Sequence, residues 1–128
     1  MIIDSSAICA IMFREPEARR FAEAIEDADV CRMSAGSLLE TSMVVEGRVG
    51  SRGGDELDAF IERRGVEIVP VTAQQVAVAR RAWREFGKGN HPAALNLGDC
   101  LAYALSEMTR EPLLYKDRDF RQTDVQRA

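Results

Sequence analysis

Four short apolar runs recur along this chain, with helical patterns of about 10 to 15 residues between them, and that alternation constrains the fold more than any other feature. The runs are "MIID" at 1–4, "VCRMS" at 30–34, "VEIVPV" at 66–71 and "PLLYK" at 112–116. Strands separated by helices pair in parallel, because each connection must cross back over the sheet. The sequence therefore predicts an α/β chain with three layers, α/β/α, and a mainly parallel central sheet. At 128 residues, with 46% hydrophobic content and no repeat, low-complexity tract or linker, it reads as one domain over 1–128.

Between the strands, "SSAICAIMF" reads as a helix capped by Ser5 or Ser6, and "EPEARRFAEAIEDA" as a second with Pro16 in its first turn. "AGSLLETSMVVEGR" places Leu38, Leu39, Met43 and Val45 on a broad apolar face. "SRGGDE" reads as a turn, followed by a helix that stops at Gly65. "TAQQVAVARRAWREFG" is a helix capped by Thr72 and stopped at Gly87; Trp83 is expected in the core or a dimer interface, and Arg80, Arg81 and Arg84 on a solvated face. "KGNHPAALN" is a loop in which His91 has a packing role. In "ALNLGDCLAYAL", Leu97, Leu101, Ala104 and Leu105 have the spacing of a core face, and Gly98 gives a tight turn. "DRDFRQTDV" is a turn leading to a last short strand.

Several function classes are disfavoured. A net charge of −4 argues against a general nucleic-acid binder, which needs clustered positive charge. No apolar run is long enough to span a membrane, and the apolar N-terminus lacks a basic leader, so neither membrane nor secretion is expected. Cys9, Cys31 and Cys100 lie among apolar neighbours without a CxxC or His/Cys cluster; they read as buried thiols in a reducing cytoplasm.

The acids are the informative residues. Ligands of open parallel sheets bind beyond the carboxyl ends of the strands. Asp4 ends the first strand, Asp117 follows the strand "PLLYK", and Glu40 lies in the second turn of the helix after the second strand, so all three point to one edge. Asp99 opens an apolar helix; on its own it is equally a helix N-terminal acid, favoured by unpaired N–H groups. Two carboxylates about 4 Å apart repel by roughly 4 kcal/mol at an effective dielectric near 20, so such a cluster calls for a cation or a proton. With oxygen donors alone, Mg2+ or Mn2+ is favoured over Zn2+, and the chemistry suggested is metal-assisted phosphodiester hydrolysis.

Four stretches, "MIIDSSAICAIMFREPEA", "SAGSLLETSMVV", "HPAALNLGDCLAYALS" and "EPLLYKDRDFRQTDV", together span nearly the whole chain in order. In them the sequence resembles PIN domains, and more closely the VapC-type toxins of bacterial toxin–antitoxin pairs. The resemblance implies a PIN-like fold and a Mg2+- or Mn2+-dependent ribonuclease that inhibits translation. It maps the catalytic and metal-binding acids onto Asp4, Glu40, Asp99 and Asp117, with Ser6 orienting the site. "KDRDF" offers both Asp117 and Asp119 for the fourth acid; Asp117 directly follows the strand, and Asp119 is the alternative or a supporting group. Lys116 and Arg118 flank it as candidate RNA phosphate contacts. The resemblance also implies a homodimer and a cognate antitoxin that occludes the site; the surplus apolar surface of "SAICAIMF" and "LLETSMVV" suits either interface. A competing reading is a catalytically silent PIN module that acts through antitoxin binding and operator regulation. A phosphoacceptor receiver domain would need paired acids after the first strand, which "IIDSS" lacks.

Overall fold

In each of two adjacent strands of the sheet, neighbouring residues face opposite layers, as the two-residue period of a strand requires. The computed structural model describes residues 1–116 and 118–128. Strand β1 (Ile2–Ile3) sits between β2 (Arg32–Ser34) and β4 (Leu113–Leu114), with β3 (Glu67–Val69) beyond β2, in the order β3-β2-β1-β4. Every pairing is parallel. Ile2 and Leu113 enter one apolar cluster, with residues of α5 (Ala73–Phe86) and α6 (Leu97–Thr109). Ile3 and Leu114 enter the other, with α1 (Ser5–Met12), α2 (Ala18–Asp27) and α4 (Ser51–Arg63). Helix α3 (Ala35–Val49) follows β2 directly and packs on both α1 and α6. The expected three-layer parallel α/β architecture is the one observed.

Two strand-to-helix junctions have almost no loop. Asp4, one residue past β1, is the N-cap of α1: its side chain accepts from the Ser6 N–H. The cap is thus Asp4 itself, not Ser5 or Ser6, because a carboxylate there meets the orphan N–H groups directly. Ser34, the last residue of β2, caps α3.

The structure corrects other expectations. "SRGGDE" is not a turn: α4 starts at Ser51, and the chain turns at Gly50, whose φ is 78°. Gly53 and Gly54 are helical because α3 lies against them; a Cβ on Gly53 would stand 2.2 Å from Val49 Cγ2. Pro16 precedes α2, whose cap is Glu17. Leu97 is 80% exposed, Leu39 62% and Met43 67%, so these three are not core. Trp83 is half-exposed and Cys9 only partly buried, whereas Cys31 and Cys100 are buried. The last expected strand reduces to one bridge between Leu113 and Arg127, after a 3-10 turn at Asp119–Gln122. The stops at Gly65 and Gly87 and the Thr72 cap are as read; at Gly65 a φ of 61° favours glycine. Among the described residues no helix is long and apolar enough to cross a membrane.

Candidate active site

The carboxyl edge of the sheet brings acids from three helix starts together. Asp4 is 1% exposed, and its Oδ2 accepts from the Ser6 backbone N–H at 2.9 Å and from Ser6 Oγ at 2.6 Å. Ser6 Oγ in turn accepts from the N–H of Lys116, at 3.0 Å, just past β4. One hydroxyl therefore ties the acid after β1 to the chain leaving β4.

Asp99 is held by a capping box. Its backbone N–H donates to Asn96 Oδ1, and its Oδ2 accepts from the Asn96 N–H, both at 2.9 Å. The residues from Gly98 to Ser106 are all buried, so the helix start carrying Asp99 is anchored by packing behind it. Asp99 itself is 6% exposed. Burial pushes its carboxyl up to about 7, against the pull of the Asn96 N–H, and the negative charges of Asp4, Asp119 and Glu40 push the same way. The acids at this edge thus lie within electrostatic reach of one another. Asp119, at the head of the 3-10 turn, is among them; Asp117, the preferred fourth acid, lies outside the described residues.

Glu40 reaches the same place by a route that sequence reading missed. Its Oε2 accepts from Ser5 Oγ at 2.8 Å. Gly98 is not the tight turn expected of it; it lies inside α6, and a Cβ there would stand 2.1 Å from Glu40 Oε2 and 2.7 Å from Oε1. The missing side chain is the seat of the Glu40 carboxylate. A hydroxyl next to Asp4 and a glycine next to Asp99 were the available signals, but neither names a partner 35 or 58 residues away.

The other expected groups fall differently. Lys116 is ion-paired with Glu15 and stands 3.9 Å from Glu17. Arg118 is exposed at the N-cap of the 3-10 turn. His91 packs edge-on against Phe86, and its Nδ1 accepts from the Ala93 N–H, a loop-packing role.

Among the described residues, no three His, Cys, Asp or Glu side chains form a ready cage for a cation. The donors are hard oxygens at the carboxyl edge, and burial, helped by the neighbouring carboxylates, makes one of them, Asp99, hold its proton more tightly than usual. That set suits Mg2+ or Mn2+, which keeps several waters and needs few protein carboxylates.

Comparison with known proteins gives a consistent picture. The family model described as PIN domain matches residues 1–126. The chain is 48% identical over 125 residues to a ribonuclease VapC of Mycolicibacterium smegmatis, covering 98% of this chain and 97% of the relative. It is 46% identical over 125 residues to ribonuclease VapC30 of Mycobacterium tuberculosis, covering 98% and 95%. Among solved structures it is similar to VapC20 of Mycobacterium tuberculosis, a toxin that cleaves the sarcin–ricin loop, with a TM-score of 0.81 at 18% identity over 99% of this chain and 97% of that one. It is also similar to VapBC2 of Rickettsia felis bound to a DNA fragment of its promoter, with a TM-score of 0.74 at 16% identity over 98% and 94%.

Proposed function

The chain belongs to the PIN-domain family, in its VapC ribonuclease toxin branch, and from that premise we propose that it is a Mg2+- or Mn2+-dependent endoribonuclease that blocks translation. The observation that carries the reading is Asp99: a buried carboxyl at the sheet edge, opposed by the charges of Asp4, Asp119 and Glu40. Carboxylates collected against their own repulsion are costly for folding, and a divalent cation removes that cost.

Asp4, Asp99 and Glu40, with Asp117 or Asp119, are the residues that would hold the ion. When bound, it would supply Lewis acidity and lower the pKa of a water, so that the water could lose its proton and attack a phosphodiester at neutral pH. The chain's part is placement. Ser6 fixes the Asp4 carboxylate, the Asn96 box fixes Asp99, and Ser5 with Gly98 fixes Glu40. Glu40 is less buried than Asp4 or Asp99, and in this reading it orients the attacking water and accepts its proton.

The same reading includes an antitoxin partner and a homodimer. Leu39, Met43, Val44 and Leu97 border a cleft of about 510 Å³ that also contains Glu40, so a partner docked on this apolar surface would cover the acids. The test is RNA cleavage by purified protein with and without Mg2+ or Mn2+, beside Asp4→Asn and Asp99→Asn. Cleavage is expected only with metal and only in the parent. Folded variants that cut at the parental rate would overturn the site assignment.

A further inference from the structure

A second cavity, of about 380 Å³, is lined by Pro16, Glu17, Arg20, Arg121, Arg127 and Lys116, the last of these just past the carboxyl end of β4. Four cations around one hollow are unexpected in a chain of net charge −4. Lys116 is taken up by Glu15 and is near Glu17. The three arginines make no ion pair with any described residue. Two of them are laid on rings instead: the guanidinium carbon of Arg20 is 4.9 Å from the centre of the Phe21 ring, and that of Arg127 is 5.3 Å from the Tyr115 ring. Both rings are buried, so each guanidinium is supported on a fixed face while its N–H edges stay open.

The hollow is joined to the acids by chain connectivity. The Lys116 N–H binds the hydroxyl of Ser6, which holds Asp4. Arg121 lies in the 3-10 turn that begins at Asp119, one of the carboxylates acting on Asp99. An anionic chain whose cleaved bond lies at the acids carries further phosphates at regular steps, and this is where the surface offers forked donors to receive one. We propose that Arg20, Arg121 and Arg127 form a phosphate-binding site for the backbone of single-stranded RNA next to the cleaved bond, a reading that rests on the ribonuclease function above. It also accounts for how an acidic protein binds a polyanion: the positive charge is local.

The experiment pairs Arg20→Ala/Arg127→Ala with Arg20→Lys/Arg127→Lys, and reads two quantities. One is binding of a short labelled single-stranded RNA in EDTA across a salt series; the other is kcat and KM for its cleavage with Mg2+. The alanine pair is expected to weaken binding about 10-fold, lower the slope of log affinity against log salt by about 0.7 per lost contact, and raise KM with kcat within about two-fold. The lysine pair keeps the charge and recovers most of the slope but less of the affinity, because it lacks the fork and the ring support. Unchanged slope and KM in an alanine pair whose parent cleaves RNA would overturn the phosphate site alone. A parent that neither binds nor cleaves RNA would overturn the ribonuclease reading and the site with it. Unchanged RNA kinetics with lost binding of the purified cognate antitoxin would give the arginines to the protein partner and likewise overturn the site.

Discussion

The two edges of one four-stranded sheet treat acids in opposite ways. At the amino edge, Glu111 is paired with Arg32, the first residue of β2, and with the amine of Met1; Arg32 also meets Glu67 at 2.9 Å. Burial would raise the Glu111 carboxyl, but the hydrogen bond and charge of the Met1 amine, with those of Arg32, hold it below its ordinary range. At the carboxyl edge, burial raises the Asp99 carboxyl, and its neighbours, being other carboxylates, push it the same way instead of offsetting the burial. The same residue class strengthens the fold at one edge and strains it at the other. In the proposed function, the strained edge is the one that carries the chemistry.

The strongest way to break this contrast is to neutralise the strained edge. Asp99→Asn is expected to lower RNA cleavage by at least about 100-fold, because it removes a metal-binding charge. The same change should stabilise the metal-free protein above neutral pH by more than about 1 kcal/mol, since the amide keeps an acceptor for the Asn96 N–H and sheds a buried charge. The sign follows from the raised value. The folded protein holds this proton more tightly than the unfolded chain, so metal-free stability should fall as pH rises from about 4 to about 7, and Asp99→Asn should flatten that part of the curve. Denaturant melts across pH in EDTA decide this; a destabilised Asp99→Asn at pH 8 would remove the contrast.

Gly98→Ala sharpens the same edge without touching a charge. The new Cβ would displace the Glu40 carboxylate, which sits at the end of a flexible side chain and can move. Cleavage is expected to fall about 10-fold. Thermal stability should hold or rise, because alanine is favoured over glycine inside a helix by up to about 1 kcal/mol. A fall in melting temperature with full activity would show that Gly98 serves packing and not the acid.

The opposite edge should give the opposite result. Glu111→Gln is expected to cost about 1 kcal/mol of stability at neutral pH and leave kcat unchanged. Because the Glu111 value is depressed, its contribution is full above the ordinary carboxylate range and fades as pH falls through the lowered folded value, so parent and variant should converge in acid. The smallest expected effect is that of Leu97→Ser, within about 0.5 kcal/mol in the isolated protein, since the side chain is exposed. Its consequence should appear in binding to the antitoxin or a second copy, measured by titration or sedimentation.

Much of this was legible from residues alone. Alternation of strand and helix patterns implied a parallel sheet, and the acids after the first and second strands implied the working edge. Thr72, Gly65 and Gly87 gave correct helix ends because capping is local chemistry. The misreadings share a cause. "SRGGDE" has turn residues, but its two glycines let α4 pack closely on α3, and tertiary packing outweighed local preference. Leu97, Leu39 and Met43 have core-like spacing, yet each is left largely exposed. Periodicity finds a helix's apolar side and cannot say how much of it is buried.

The sequence by itself determined the alternation of strands and helices, their order, and that Asp4 and Asp99 stand at helix starts, because these depend on neighbours a few residues apart. Only the tertiary structure decided that a hydroxyl at Ser5 and the bare backbone of Gly98 would together seat Glu40, and that burial and three other carboxyls would lift Asp99 to about 7. Those outcomes depend on distances between segments far apart in the chain, and on the exclusion of water, which appears only when the segments close on one another.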